Sequence, residues 1–356
     1  MTFEEARAQF PVLERYAYLN AGTNGPLARA TTEAFVAQAQ QDLAEGRSGT
    51  AYIERVRELR DTARRGLAAV LDVDVSRIAL VDSTMRGCAV VLLGLGLSAA
   101  DEVITTDQEH FGLTGPLQAT GARVVVVEAD EDAMLAAVTP RTRLFATSHV
   151  LWTTGKRLDL HRLRSETGLA VLVDGAQSAG AIEVDVGELD YYTVSAQKWL
   201  CAPDSSGALY VRDPDSLRVA APSYFAQQSY EPSGAFVAHE TAARFDSGWT
   251  GVPNLVGLIA ALGTHPAWRY ERAAETAARC RELLTPLVEV VTPPGQSTLV
   301  AFRPPSDPIE LVAALQARGV IVRELPGRNL VRASCGWWTN EDDLQRLADG
   351  VAAFLR

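Results

Sequence analysis

Two ionisable residues, Asp174 and Lys198, each follow a short apolar run of the chain. Residues 171–174 read Val-Leu-Val-Asp and lead into the small-residue turn Gly-Ala-Gln-Ser, while residues 191–194 read Tyr-Tyr-Thr-Val and closely precede Lys198. A carboxylate can keep a heterocyclic nitrogen protonated, and a lysine amine can form a Schiff base with an aldehyde. Taken singly, an Asp before Gly is also typical of a turn, and most lysines are exposed to solvent.

Both residues lie at the carboxyl ends of predicted strands, which is the edge where open α/β sheets bind their ligands. A carboxylate that protonates a pyridine ring, together with a lysine that binds its aldehyde, is the pair of groups that pyridoxal 5′-phosphate requires. We therefore expect this cofactor at the sheet edge, with Asp174 and Lys198 as catalytic and cofactor-binding residues.

Residues 174–178 (Asp-Gly-Ala-Gln-Ser) and 195–199 (Ser-Ala-Gln-Lys-Trp) resemble the class V aminotransferase family of fold-type I, pyridoxal-phosphate-dependent enzymes. The resemblance extends from about residue 16 to the C-terminus. The family includes cysteine desulfurases, selenocysteine lyases, isopenicillin N epimerase-like proteins and cystine C–S lyases. It implies that Lys198 binds the cofactor aldehyde, that Asp174 contacts the ring nitrogen and that Gln177 contacts the phenolic oxygen.

The resemblance also implies a phosphate site after the first strand of the sheet. Residues 82–85 (Asp-Ser-Thr-Met) match the family's Gly-Ala-Thr-Glu loop, so Thr84 and Met85 are expected at the phosphate, although Met85 replaces a Glu. A hydroxyl and free N–H groups at a helix N-terminus suit an anion, but an ordinary helix cap uses the same residues. Asp82 is expected to point away from the phosphate.

Three further phosphate contacts come from the resemblance. Ser195 and Gln197 match the family's Ser-x-His-Lys pair, with Gln in place of His. Residues 244–250 resemble Arg-Phe-Glu-x-Gly-Thr, which implies that Thr250 reaches the phosphate of the neighbouring subunit. The expected assembly is therefore a homodimer with a site shared between subunits.

The resemblance implies that His110 is a catalytic residue at the cofactor ring and that three residues surround the amino-acid substrate. In the family, His110 would stack on the cofactor ring, and Arg332 of an Arg-x-Ser motif would bind the substrate carboxylate. Trp152 stands where the family has an Asn that contacts the phenolic oxygen, so Trp152 is either a wall of the substrate pocket or a core aromatic. Asn20 belongs to the segment Tyr-Leu-Asn-Ala-Gly, which resembles the loop that shapes the substrate side.

The chain has 356 residues, 47% of them apolar and 22% charged, with a formal net charge of −11. The acidic balance argues against nucleic acid as a general partner. The N-terminal residues lack the pattern of a signal peptide, and no stretch is apolar over the length of a transmembrane helix. Four scattered cysteines show neither metal-site nor disulfide spacing. We expect a cytoplasmic protein with no membrane partner and no metal.

Seven short apolar runs indicate strands, at residues 78–81, 102–106, 123–128, 143–147, 170–174, 191–194 and 207–211. The first five alternate with helical patterns, which predicts a mostly parallel sheet with helices on both faces. The last two are too close in sequence for a crossover helix, so one of them should be antiparallel. The expected class is α/β, with a large domain over 17–253 and a smaller α+β domain from 1–16 and 254–356.

The expected chemistry begins with removal of the Cα proton of a cofactor-bound amino acid by Lys198. A desulfurase needs a cysteine shortly before the Arg-x-Ser motif, and residues 303–331 contain none. Cys201 and Cys335 do not match that nucleophile. We expect β-elimination at a sulfur-bearing amino acid, as in a C–S lyase. An epimerase or racemase, an aminotransferase, a desulfurase and an inactive protein of the same fold are the alternatives.

Overall fold

The computed structural model describes residues 1–356. Its α-helices are α1 (Phe3–Arg7), α2 (Arg29–Glu45), α3 (Gly49–Leu71), α4 (Thr84–Gly94), α5 (Phe111–Gln118), α6 (Glu131–Ala136), α7 (Leu160–Thr167), α8 (Val252–Leu262), α9 (Arg269–Leu284), α10 (Pro308–Ala317) and α11 (Glu341–Phe354). Its strands are β1 (Ala17–Tyr18), β2 (Ile78–Val81), β3 (Glu102–Thr106), β4 (Arg123–Val127), β5 (Thr142–Ser148), β6 (Ala170–Asp174), β7 (Tyr191–Ser195), β8 (Gly207–Val211), β9 (Gln227–Tyr230), β10 (Phe236–Ala238), β11 (Glu289–Val290), β12 (Leu299–Arg303), β13 (Val320–Ile321), β14 (Arg323–Leu325) and β15 (Leu330–Ser334). None of the helices has the length and apolar character needed to cross a membrane.

The largest sheet contains seven strands in the order β2-β8-β7-β6-β5-β3-β4. Strand β8 is antiparallel to both of its neighbours, and every other pair is parallel. The segment between β7 and β8 is too short to cross over the sheet, so the chain turns back beside β7. The prediction of a mostly parallel seven-stranded sheet is confirmed.

Both faces of this sheet are covered, which explains why its strands read as continuous apolar runs. In β6, Val171 and Val173 belong to a core that also contains residues of α3 and α7, whereas Leu172 belongs to a core with residues of α4 and α5. Successive side chains of a strand point to opposite faces. Helices therefore pack on both faces, as predicted.

A second sheet, in the order β11-β12-β15-β14, is antiparallel throughout. Its core contains buried residues of α9, α10 and α11. This is the α+β arrangement expected for the smaller domain. Strand β15 ends at Ser334 and positions Arg332, while β14 begins at Arg323, so both arginines come from neighbouring strands of this sheet.

Two segments near the expected domain boundaries pack across them. Strand β1 pairs in parallel with β13, and Ala17 and Leu19 are buried in the core of the smaller domain. Helix α8 packs on α2 and α3, and its Leu255 and Leu258 belong to the core of the large sheet. Residues 17–19 thus pack with the core of the smaller domain and 252–262 with that of the larger one, and the expected boundaries at 17 and 253 stay a prediction. The segments pack in this way because an element joins the core that covers its apolar face.

Candidate active site

A cavity of about 300 Å³ opens where strands β5, β6 and β7 end. Ten of the twelve residues expected at the site line it: Lys198, Asp174, His110, Gln177, Thr84, Met85, Ser195, Gln197, Trp152 and Arg332. They converge because the carboxyl ends of parallel strands meet at one edge of the sheet. Asn20 and Thr250 do not line the cavity.

Asp174 is the last residue of β6 and is almost completely buried. Its Oδ1 accepts a hydrogen bond from the backbone N–H of Ala176 at 2.9 Å, which fixes the carboxylate at the start of the turn. The turn passes very close to β7, since a Cβ at Gly175 would collide with the Tyr192 ring and the Thr193 carbonyl. Glycine is therefore required directly after the acid.

Lys198 is partly buried and lines the same cavity as this acid. Burial lowers the pKa of its amine to about 8; Arg332 and Arg323 act in the same direction, and Asp174 opposes them. The amine is thus much easier to deprotonate than an exposed lysine, and the neutral amine is the form that acts as a nucleophile or base.

The polar end of the cavity lies at the N-terminus of α4. The Thr84 N–H donates to Ser195 Oγ at 3.1 Å, and Ser195 Oγ is 3.2 Å from Thr84 Oγ1. The buried Oε1 of Gln197 has no partner in the protein. Two hydroxyls and a helix N-terminus fit a phosphate group, and since an amide oxygen only accepts, Gln197 would have to meet the phosphate through its Nε2. Met85 lines the same end of the cavity.

The carboxylate of Asp82 turns away from this end, as expected. Its Oδ1 accepts from Ser83 Oγ at 2.6 Å, and its Oδ2 is 3.7 Å from Arg86 Nε on the outer side of α4. It does not line the cavity. The negative charge is therefore paired outside the anion site.

His110 caps the N-terminus of α5 through its side chain. Its Nδ1 accepts from the Gly112 N–H at 3.0 Å, so the proton of the neutral ring lies on Nε2. Burial, followed by the charge of Lys198, lowers the pKa of His110 below its usual range. The ring meets the indole of Trp152 edge to face, with centroids 5.4 Å apart. Of the two alternatives for Trp152, the structure supports a cavity wall.

Arg332 is 2% exposed, and its Nη1 donates to the Trp152 carbonyl at 2.8 Å, while Nε has no partner. Burial, with a smaller effect of Arg323, lowers its pKa to about 9. A buried guanidinium with an unpartnered N–H suits a carboxylate ligand. A Cβ at Gly22 would lie 2.7 Å from Arg332 Nη2 and 2.9 Å from Ser334 Oγ, so only glycine lets this loop approach the guanidinium so closely.

Sequence analysis missed Arg323, which also lines the cavity. Its Nη1 donates to Thr23 Oγ1 at 3.1 Å, and Thr23 lines the cavity as well. Within this structure Asn20 lies outside the cavity and supports Thr23, because its Oδ1 accepts a hydrogen bond from Thr23 Oγ1 at 2.8 Å. The expected substrate-binding role of Asn20 stays a prediction. For Arg323, the available signal was its position shortly before Arg332 in the sequence.

Glu109 is a second residue that sequence analysis missed. Its buried carboxylate accepts from Thr106 Oγ1 and Thr147 Oγ1, each at 2.7 Å, and from the N–H and hydroxyl of Ser148. Burial raises its pKa, and these hydrogen bonds oppose the rise. Glu109 ties the end of β3 to the end of β5 and so orients Ser148 and the adjacent His110. Its position directly before His110 was the available signal.

Thr250 contributes to a different cavity, together with Arg86 and Trp249. Within one chain it does not reach the polar end of the site. The expectation that it acts on a neighbouring subunit stays a prediction.

A sequence model of the family described as Aminotransferase class-V matches residues 17–347, and the chain therefore belongs to that family. An isopenicillin N epimerase of Amycolatopsis lactamdurans is 32% identical, with 97% of each chain covered. A cysteine desulfurase of Cronobacter sakazakii is 27% identical over 100% of this chain and 98% of the relative. The solved structure of the cystine C–S lyase C-DES with its reaction product cysteine persulfide has a TM-score of 0.89 and 29% identity, covering 97% of this chain and 99% of that one.

The chain is accordingly a pyridoxal-phosphate-dependent enzyme of class V with the fold-type I architecture, as predicted. The residues of the cavity fit the cofactor, because a lysine amine, a buried carboxylate and an anion site made of two hydroxyls and a helix N-terminus surround one space. The relatives have different activities, so membership of the family leaves the reaction itself undecided.

Proposed function

We propose that this enzyme is a C–S lyase that acts on a sulfur-bearing amino acid by β-elimination. The observation that carries the proposal is the position of the thiols: all four cysteines are buried and none lines the cavity. Burial also raises the pKa of Cys88 and Cys201, so their nucleophilic thiolate forms are disfavoured. A desulfurase transfers sulfur to an enzyme cysteine, whereas an elimination expels sulfur directly from Cβ and needs no thiol.

When bound, pyridoxal 5′-phosphate supplies the electron sink that stabilises negative charge at the substrate Cα. Asp174 would keep its ring nitrogen protonated, Gln177 would donate to its phenolic oxygen, and His110 would lie against the ring. The residues expected to hold the phosphate are Thr84, Met85, Ser195 and Gln197.

Three cavity residues would act on the substrate itself. Lys198 accepts the Cα proton, which its pKa of about 8 permits near neutral pH. Arg332 binds the α-carboxylate and thereby orients the Cα–H bond toward the lysine. Arg323 places a second positive charge in the same cavity, which suits a substrate with a second carboxylate, such as cystine.

Epimerisation is the second candidate, favoured by the 32% identity to an isopenicillin N epimerase. A two-base epimerase needs a second acid that returns the proton to the opposite face of Cα. His110 is the cavity residue that could hold this proton, but burial lowers its pKa, so its ring is neutral at neutral pH, and a neutral imidazole N–H is a weak acid. We therefore place elimination first.

A product panel separates these reactions. The purified holoenzyme would be incubated with cystine, cysteine and amino acids without sulfur, and pyruvate, alanine, keto acids and optical rotation would be followed together. We expect pyruvate from a sulfur amino acid. Keto acid without sulfur release would indicate an aminotransferase, and loss of optical rotation alone would indicate an epimerase.

The cysteine variants complete this experiment. Replacing Cys201 and Cys335 by alanine should leave turnover within about tenfold, since elimination does not use them. Alanine as the product, with activity lost in either variant, would show that an enzyme persulfide forms and that the lyase proposal is wrong.

We also propose a cytoplasmic homodimer in which Thr250 completes the phosphate site of the other subunit. Hybrid dimers test this arrangement. Mixing Lys198→Ala chains with Thr250→Val chains gives hybrid dimers with one chain of each kind. If Thr250 acts across the interface, one site of the hybrid carries both changes and the other carries neither. Activity should then recover on mixing, whereas Thr250 acting within its own chain gives no recovery.

A further inference from the structure

The side chain of Gln177 is bound from two different parts of the chain. Trp199, directly after Lys198, is 2% exposed, and its Nε1 donates to Gln177 Oε1 at 3.1 Å. Gln177 in turn donates from Nε2 to the Gly22 carbonyl at 2.8 Å. Gln177 is 5% exposed and lines the cavity, whereas Trp199 does not line it. Trp199 thus contacts a cavity residue from the protein interior.

These two contacts decide which way the amide faces. An indole N–H can only donate, and a backbone carbonyl can only accept. If the amide were reversed, its NH2 group would face the Trp199 N–H and its oxygen would face the Gly22 carbonyl. Neither buried pair could then form a hydrogen bond. The oxygen of Gln177 is therefore turned to Trp199, and the second N–H of Nε2 is the donor that the amide can offer to the cavity.

We propose that Trp199 is a positioning residue that holds the Gln177 amide with its N–H available to the cofactor. The inference rests on the proposed contact between Gln177 and the phenolic oxygen. Trp152 occupies the position where the family resemblance implies an asparagine contact to the same oxygen. Gln177 is consequently the side-chain amide left to donate to the phenolic oxygen, and it can do so only when its N–H faces the cavity.

A donor at the phenolic oxygen favours its anionic form, and so lowers the pH at which the absorbance of the bound cofactor titrates. In Trp199→Phe the ring packing is kept, but the indole N–H is lost and the amide is free to turn. The midpoint of the absorbance titration should rise by about one pH unit. Trp337→Phe is the matched control, because Trp337 is equally buried, its Nε1 has no partner and it does not line the cavity.

A double-mutant cycle shows whether Trp199 acts through Gln177. Gln177→Leu alone should raise the midpoint, and adding Trp199→Phe to it should produce no further rise. An unshifted midpoint in Gln177→Leu would refute the proposed cofactor contact itself. Two results would overturn the positioning role while leaving the contact intact. The midpoint could shift in Gln177→Leu but not in Trp199→Phe. Alternatively, Trp199→Phe could shift the midpoint equally in the unaltered enzyme and in Gln177→Leu.

Gln177→Glu tests the contact on which the proposal rests if Trp199→Phe does not fold. This variant leaves Trp199 in place, so one carboxylate oxygen is bound by the indole N–H and the other faces the cavity. The second oxygen repels an anionic group, and the midpoint should rise further than in Gln177→Leu. A rise equal to or smaller than that of Gln177→Leu would show that neither oxygen at position 177 faces the cofactor, and would refute the contact on which the role of Trp199 depends.

Discussion

Arg323 of β14 and Lys198, which follows β7, line the same cavity although they belong to different domains. The pKa of the Lys198 amine is lowered to about 8, mainly by burial and further by the charges of Arg332 and Arg323. Docking of the smaller domain against the large sheet therefore influences the basicity of Lys198.

The first prediction concerns the pH dependence of cofactor capture. Neutral lysine reacts with the aldehyde, so the rate at which the apoenzyme takes up the cofactor should rise with pH, with a midpoint near pH 8. Arg323→Gln removes a positive neighbour, raises the pKa of Lys198 and should move the midpoint to higher pH. Arg328→Gln, an exposed arginine outside the cavity, is the control. A midpoint that stays fixed or falls in Arg323→Gln would contradict the electrostatic coupling.

A second prediction concerns the site of covalent attachment. The chain contains two lysines, Lys156 and Lys198, and Lys156 binds Ala129 O at 2.9 Å and Asp130 at 3.2 Å outside the cavity. Borohydride reduction followed by peptide mapping should label Lys198 alone. Lys198→Ala should lose the label and essentially all turnover, while Lys156→Ala should keep both. Label on any peptide without Lys198 would show that the assignment is wrong.

The third prediction tests the substrate carboxylate. Arg332→Ala should weaken binding of the amino acid by about 2–5 kcal/mol, because a desolvated carboxylate loses its charged partner. Arg332→Lys keeps the charge but loses the bidentate geometry, so its loss should be smaller. Binding is measured by spectral titration of the holoenzyme, and Arg328→Ala again serves as control. Affinity within threefold of the unaltered enzyme in Arg332→Ala would refute the role.

The fourth prediction concerns the ion cluster behind the sheet. The buried Asp246 accepts from Arg60 at 2.8 Å, from Arg64 at 2.8 and 2.9 Å and from the Leu80 N–H at 2.8 Å. Asp246→Ala leaves two buried guanidinium groups without their anion and should cost about 3–5 kcal/mol of stability. Glu166→Ala breaks the exposed pair with Arg162 and should cost about 1 kcal/mol or less. Urea unfolding of the two variants compares them, and similar losses would contradict this interpretation.

The sequence by itself determined the large sheet and the central pair of the site. Apolar β-branched runs encode strands over short windows, and the short segment before β8 leaves room only for an antiparallel return. Because parallel strands end at one edge, the positions of Asp174 and Lys198 after their strands already implied that the two side chains meet. The motif around them was sufficient for the family and the cofactor, both of which the comparisons confirmed.

Only the tertiary structure decided which distant segments complete the site. Arg323 enters the cavity because β14 and β15 are paired and the smaller domain packs at the sheet edge. The indole of Trp199, which follows β7, meets Gln177, which follows β6. Helix α8 joined the larger core, and Asn20 was turned to Thr23 instead of the cavity. Local sequence patterns specify a helix or strand and its apolar face, but they contain no information on which other element of the chain packs against that face. Contacts between such elements depend on packing and on the pairing of buried polar groups, which are satisfied only once the whole chain has folded.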